Sequence, residues 1–487
     1  MKTILSHIAA GLAGILFVTN VMADPIITSW LTTYSGQYAR VFLTDLDKTN
    51  GTSVTTWSRN SLSQSLPVYS GVREVDFSAN SVYIRTPGLG VHTMGPWYMA
   101  ANHTNVFMNV PINTKAFYRL PRTPATNGIH TLTGGGPIGY FVDGVAMFDS
   151  RDAFYWNGAT EAMGSGSWNR DAYVNESQTF DPALAHQPGN GQYHYHANAP
   201  ALRYLLGDHV DFNATSKMYT ESTNAMTQPS PILGWVRDGF PIYGPYGYSN
   251  PTNPASGVRR MVSGYVPRNG LNGTDNLSTN GATRSVIPAW AARAGESATS
   301  GPTVSTNILS YYPFGRYLED NAYLGDLTNS ATSQRYQQGV DFDLNESNVR
   351  WCVTPEFPTG TWAYFTCIDI NGRPAFPYNI GRTFFGTPTG AAVTSFGETV
   401  TTNFVGGASS ALTLTPPVVS NSVVTLTWSA TEGGTYRVET SGNLATWTTN
   451  ASGVAAELNR GTVATPATAT NQCFRVTRTG LATYDPN

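Results

Sequence analysis

The chain has 487 residues, too many for one ordinary core, so two or three domains are expected. Charged residues make up 12%, while 48 Gly, 30 Pro and 12% aromatics describe a turn-rich folded protein rather than a disordered one. A formal net charge of -3 gives no reason to expect nucleic acid or an anionic membrane as a partner.

At the N-terminus, Lys2 precedes the apolar run AAGLAGILFV, and VMA puts small or apolar residues before a cut between Ala23 and Asp24. This is the layout of an export signal over residues 1–23, too short to span a bilayer. No later run of roughly 18 apolar residues follows, so the mature chain is expected without a transmembrane segment. Its expected location is periplasmic, cell-surface or extracellular. Residues 24–69 read as an N-terminal β segment. Beyond them, alternating apolar runs such as SVYIRT, GYFVDGVAMF, YFTCI and VVTLTWSA recur between Gly, Pro and Asn, which is the pattern of short strands. ALRYLLGDHV and IPAWAARAG are the best short helices. The expected fold class is mainly β: a multi-stranded β-domain with internal hairpin repeats plus a small C-terminal β-sandwich.

GYFVDGVAMFD from Gly139 and GWVRDGFPIYG from Gly234 align without a gap, and INGRPAF from Ile370 repeats part of the pattern. Each reads as a hairpin, because Asp-Gly and Asn-Gly supply the positive φ values of tight I′ turns. A second echo joins PGNGQYHYH to PTGTWAYF from Pro358, matching Tyr193 to Trp362 and Tyr195 to Tyr364. His194 and His196 then correspond to Ala363 and Phe365, so the fold itself does not require imidazoles there.

His186, His194 and His196 stand out for this reason. If Asn190-Gly191 makes a turn, His194 and His196 share one face of the outgoing strand, and Tyr193 and Tyr195 the other. His186 would be brought back beside the pair by the incoming strand. Three neutral imidazoles suit copper or zinc and leave an open coordination position. His92 and His130 are candidates for a fourth ligand, and Asp238 for a residue that orients one, although turn chemistry explains an Asp before Gly.

The motifs GQYHYHANAP and SPILGWVRDGFPIYGPYGY resemble the YHYH family of exported bacterial proteins. The likeness continues through SGVRRMVSGYV, GRYLEDNAYLGDL, VTPEFPTGTWAYF and PAFPYNIGRTFFG, over about residues 70 to 390, and places a YHYH domain at 70–400. The family pattern carries a Gly-His step and a nearby cysteine before the tetrapeptide. His186 matches it, but Ala185 and Ala183 replace the glycine and the cysteine. The resemblance implies a domain and no settled activity.

Further along, DFDLNESN places Asp341, Asp343 and Asn345 at alternate positions, a candidate calcium loop that lacks the glycine of an EF-hand. Cys352 and Cys367 flank PEFPTGTWAYF, and pairing about Pro-Thr-Gly would set them opposite each other in a disulfide, leaving Cys473 as a lone thiol. The small-residue stretch around 401–415 reads as a linker, and 416–487 as a sandwich of the fibronectin type III or immunoglobulin kind, with Val424, Leu426 and Trp428 alternating inward. No HExxH, G-x-S-x-G, Walker loop or CxxC is present, so enzyme status stays open. Two functions compete. One is an exported copper or zinc protein, with or without catalysis. The other is a non-catalytic surface protein whose aromatic residues stack on a glycan or another cell-surface polymer and whose histidines are structural.

Overall fold

The two aligned hairpins meet in the middle of one eight-stranded sheet. Its strand order is Ala185–His186, His194–Tyr195, Ala146–Met147, Gly139–Phe141, Ile232–Val236, Pro241–Tyr243, Thr361–Phe365, Val349–Cys352. This computed structural model describes residues 24–126, 128, 131–297, 299–307, 311–468 and 472–486; the expected export signal and His130 lie outside them.

At the centre Tyr140 pairs with Trp235, Gly139 with Val236 and Phe141 with Gly234. Tyr140 and Trp235 are equivalent positions of the two repeats and the other two pairs are exchanged between them, so a pseudo-twofold axis passes between Tyr140 and Trp235. Glycine at 139 and 234 is required by close approach. A Cβ on Gly139 would lie 2.4 Å from the Trp235 carbonyl oxygen, and one on Gly234 2.7 Å from that of Tyr140. Outward from the centre, His194–Tyr195 runs parallel to Ala146–Met147, and Thr361–Phe365 runs parallel to Pro241–Tyr243. Each outer strand closes an antiparallel pair, with Ala185–His186 or Val349–Cys352. Tyr195 faces Met147 as Tyr364 faces Ile242, so the weak second echo of the sequence is also a structural repeat.

The hairpin turns differ from expectation. Gly144 and Gly239 take positive φ (82° and 87°) while Asp143 and Asp238 do not. The Gly144 and Gly239 N–H groups donate to the Phe141 and Val236 carbonyls. A type I turn followed by a left-handed glycine forms here, instead of a I′ turn, which needs positive φ at both central residues. The third piece, around Asn371-Gly372, is a turn outside the eight strands, with one bridge between Ile368 and Pro374.

The expected disulfide is absent: Cys352 and Cys367 are both free and buried. The hairpin register sets Cys352 opposite Thr361, because the turn is centred nearer to Cys352 than Pro-Thr-Gly suggests. Cys367 falls past the strand end, where its Sγ contacts Asn348 Oδ1 at 3.2 Å. Burial pushes this thiol up to about 12, which makes it inert at neutral pH.

Residues 24–69 hold two short helices, Pro25–Thr28 and Asp45–Asn50, besides one hairpin, Trp57–Arg59 with Leu62–Gln64. The stretch expected as a linker starts with a strand, Thr401–Val405, paired to Glu74–Phe77 at the edge of a five-stranded sheet. After it come two three-stranded sheets that share a separate core of Val424, Leu426, Trp428, Tyr436 and Val438. The inward alternation read from the sequence is what fills that core. This small unit is joined to the rest through Glu432, which accepts from the Tyr38 N–H and pairs with Arg40, and through Asp485, which accepts from Gln64 and Asn113. Among the described residues, no helix is long and apolar enough to cross a membrane.

Candidate metal centre

Gly191, at φ 75°, turns the chain after Asn190 and donates its N–H to the Pro188 carbonyl. The turn sets His186 directly opposite His194, while the two-residue strand period puts His196 on the same side. All three imidazoles are buried, and one ring nitrogen of each lies within 4.8 Å of the other two.

Hydrogen bonds fix which nitrogen that is. His194 Nδ1 lies 2.9 Å from the Gln192 carbonyl oxygen and His196 Nδ1 3.3 Å from that of Asp149; a carbonyl only accepts, so both Nδ1 atoms carry the proton. His186 Nδ1 meets Thr179 Oγ1 at 2.7 Å, and that hydroxyl spends its own proton on the Glu176 carbonyl, so here too Nδ1 donates. Three Nε2 lone pairs are left turned inward. Those of His194 and His196 are 2.8 Å apart, which is repulsive unless a cation lies between them.

Each ring is backed by a phenylalanine. Phe148 stacks on His194 with centroids 3.8 Å apart, Phe180 on His196 at 5.5 Å and Phe107 on His186 at 5.9 Å. These rings hold the imidazoles in place and keep water off three sides.

Sequence reasoning missed one member of this cluster. Glu176 Oε2 lies 3.4 Å from His186 Nε2 and 3.3 Å from His196 Nε2. It closes the helix Ala172–Glu176, which starts at Asp171, whose carboxylate caps the Val174 N–H and accepts from Tyr378 OH. No local motif marks Glu176; only the helical step to Thr179, the partner of His186, connects it to the site. Burial alone would raise its carboxyl, but His186 and His196, when they carry a proton on Nε2, outweigh this and hold it well below the ordinary range. Burial pushes His194 well below its ordinary value, aided by its two imidazole neighbours, and His186 also falls. At His196 burial is outweighed by Glu176 and the net direction is up. The cluster accommodates one positive charge, a proton or a metal ion.

Other candidates lie elsewhere. His92 is on the tyrosine side of the strand, with Nε2 3.0 Å from Tyr193 OH, and so is not a fourth ligand. Asp238 accepts from Tyr364 OH at 2.6 Å and from the Gly386 N–H at 2.8 Å, far from any histidine ligand role. The calcium reading of Asp341, Asp343 and Asn345 fails because cations and amides already occupy the oxygens. Arg259 binds both oxygens of Asp343 at 2.6 and 2.7 Å, Asn345 Oδ1 accepts from the Ser347 and Val349 N–H groups, and Asp341 accepts from the Gln337 N–H.

A family model described as YHYH protein matches residues 117–375, more than half of the chain. The chain belongs to the YHYH family. No curated protein and no solved structure matches it. In this YHYH protein the tetrapeptide divides by face. The histidines turn to the cluster, and the tyrosines donate to buried carboxylates, Tyr193 to Asp181 at 2.7 Å and Tyr195 to Asp143 at 2.9 Å. Tyr364 repeats the second pair with Asp238, so Tyr195–Asp143 is part of the repeated framework.

The framework pair gives a pH prediction. Burial pushes Asp238 up to about 6, above the ordinary aspartate value of 3.8, so the folded state holds this proton more tightly than the unfolded one. The stability so contributed is present below about pH 4 and lost as pH rises through 6. The margin of the wild type over Asp238→Asn in urea denaturation should therefore shrink by roughly 2.4 kcal/mol from pH 4 to pH 7. A margin independent of pH refutes the shift.

Proposed function

We propose that this YHYH protein is an exported metal-binding protein that holds one copper or zinc ion through Nε2 of His186, His194 and His196. The observation that carries the reading is the set of three inward lone pairs, each fixed by a hydrogen bond at the opposite ring nitrogen. The Nε2 atoms of His194 and His196 are 2.8 Å apart and Glu176 Oε2 lies 3.3–3.4 Å from those of His196 and His186, spacings of neighbouring ligands on an ion with bonds of about 2.0–2.1 Å. The repeat supplies a control. In the second copy the register positions of His186 and His194 carry Arg350 and Ala363, and the strand folds equally well. Bound there, an ion would offer Lewis acidity or a redox couple. The chain's own part is to orient the imidazoles, exclude water with Phe107, Phe148 and Phe180, and neutralise charge with Glu176.

The glycan-binding alternative draws on abundant aromatic residues, but Trp97, Trp168, Trp290 and Trp428 and many of the tyrosines are fully buried and cannot stack on a sugar. Attachment or spacing by the C-terminal unit, of fibronectin type III kind, belongs to the same proposal of an exported protein. Elemental analysis of tag-free protein tests the metal. About one equivalent of transition metal per chain is expected, and none in His194→Ala/His196→Ala with circular dichroism unchanged. Metal-free wild type would leave an imidazolium–carboxylate pair of His196 and Glu176 as the role of the cluster.

A further inference from the structure

The side of the histidine cluster not covered by phenylalanine is covered by Glu176. Its side chain is 27% exposed, against 8% for His186 and 3% for His196, so it is the member that meets solvent. A cavity of about 360 Å³ touches Tyr173, Ser177 and Phe180 of the same segment, and none of the three imidazoles lines it.

The helix that presents Glu176 is held at both ends. Tyr378, which follows the second copy of the repeat, donates to Asp171 at its start, and Thr179 is locked between the Glu176 carbonyl and His186 at its end. A carboxylate fixed in this way 3.3–3.4 Å from two bare nitrogens is placed to share whatever cation they share. The second copy carries a cation of the chain's own at the register position of His186. Arg350, at the register position of His186, puts its guanidinium 3.6 Å from the carboxylate of Asp343 and over the ring of Phe365. There an arginine of the chain stands near a carboxylate; in the first copy two imidazoles, His186 and His196, face the carboxylate of Glu176.

We propose that Glu176 is a fourth ligand, so that the centre is a three-histidine, one-carboxylate site selective for a divalent ion of the zinc, cobalt and iron class over copper(I). This rests on the three-histidine reading above. A hard anionic oxygen favours divalent borderline ions, whereas copper(I) gains little from it. With four protein ligands zinc closes its tetrahedron, and an ion that prefers six ligands keeps positions free for a substrate.

The test is titration of chelator-treated full-length protein with cobalt(II), read by its visible d–d absorption, beside a copper(I) competition assay. Wild type should bind one cobalt(II) with intense bands of low coordination number. Glu176→Gln should lose at least tenfold in cobalt(II) affinity with altered bands, while copper(I) affinity stays within about threefold. Glu176→Ala should regain the wild-type bands on addition of acetate, which serves as a second route if the glutamine variant folds poorly. Unchanged cobalt(II) affinity and bands in Glu176→Gln, or no acetate rescue in folded Glu176→Ala, overturns the fourth ligand and leaves the histidine site standing. Absence of cobalt(II) and copper(I) binding in the wild type overturns both.

Discussion

Removing metal from the histidine cluster should lower the Tm of the wild type by about 6 °C. An ion that binds only the folded state contributes about 4 kcal/mol when present at a thousand times its Kd, and roughly 1.4 °C follows from each kcal/mol in a domain of more than 300 residues. The shift arises because the three Nε2 atoms converge only once the Asn190-Gly191 turn has closed. Calorimetry with excess chelator and then with restored zinc or copper measures it. The C-terminal unit serves as an internal reference, since Val424, Leu426, Trp428, Tyr436 and Val438 form their own core. Its unfolding should respond to neither addition. His194→Ala/His196→Ala should likewise be indifferent to metal and chelator. Equal Tm values for the metal-loaded and chelated wild type would count against metal binding at this cluster.

A methyl group at the pseudo-twofold axis should cost more than any other single methyl in the sheet. In Gly139→Ala the new Cβ lies 2.4 Å from the Trp235 carbonyl oxygen and 2.9 Å from the Val236 Cα, both backbone atoms of the neighbouring strand. No side chain can swing away to make room, so the Gly139–Phe141 and Ile232–Val236 strands must separate. Overpacking of a core costs about 1–3 kcal/mol, and a loss at or above the top of that range is expected here, read by urea denaturation. Gly234→Ala should behave alike by symmetry, with 2.7 Å to the Tyr140 carbonyl oxygen. Gly128→Ala, with no atom within 4 Å of its Cβ, is the control and should be neutral. A stability loss below about 1 kcal/mol in Gly139→Ala would show that the central pair yields more readily than its packing implies.

The two predictions depend on different levels of information. Alternation and turn residues in the sequence sufficed for the mainly β fold, for the equivalence of the Gly139 and Gly234 hairpins, and for the split of the tetrapeptide into a histidine face and a tyrosine face. These are local properties: side-chain direction along a strand has a period of two wherever the strand lies. The weak echo of PGNGQYHYH in PTGTWAYF was legible for the same reason, since both segments take the same place beside their hairpins.

What the sequence missed depends on contacts between distant segments. The Cys352–Cys367 disulfide failed on register, because where a hairpin turns is settled by pairing along the whole strand and not by one Pro-Thr-Gly. Asp343 resembled a calcium ligand until Arg259, 84 residues away, was brought to it. His92 looked equivalent to any other histidine until its position behind Tyr193 was known. Glu176 had no motif at all, and its meaning comes from a helix fixed by Tyr378 that sets the carboxylate beside His186 and His196. A strand's periodicity is written in adjacent residues, whereas a cluster of charges is assembled from separate parts of the chain. The sequence by itself therefore determined which three histidines share a face, and only the tertiary structure decided which carboxylate joins them.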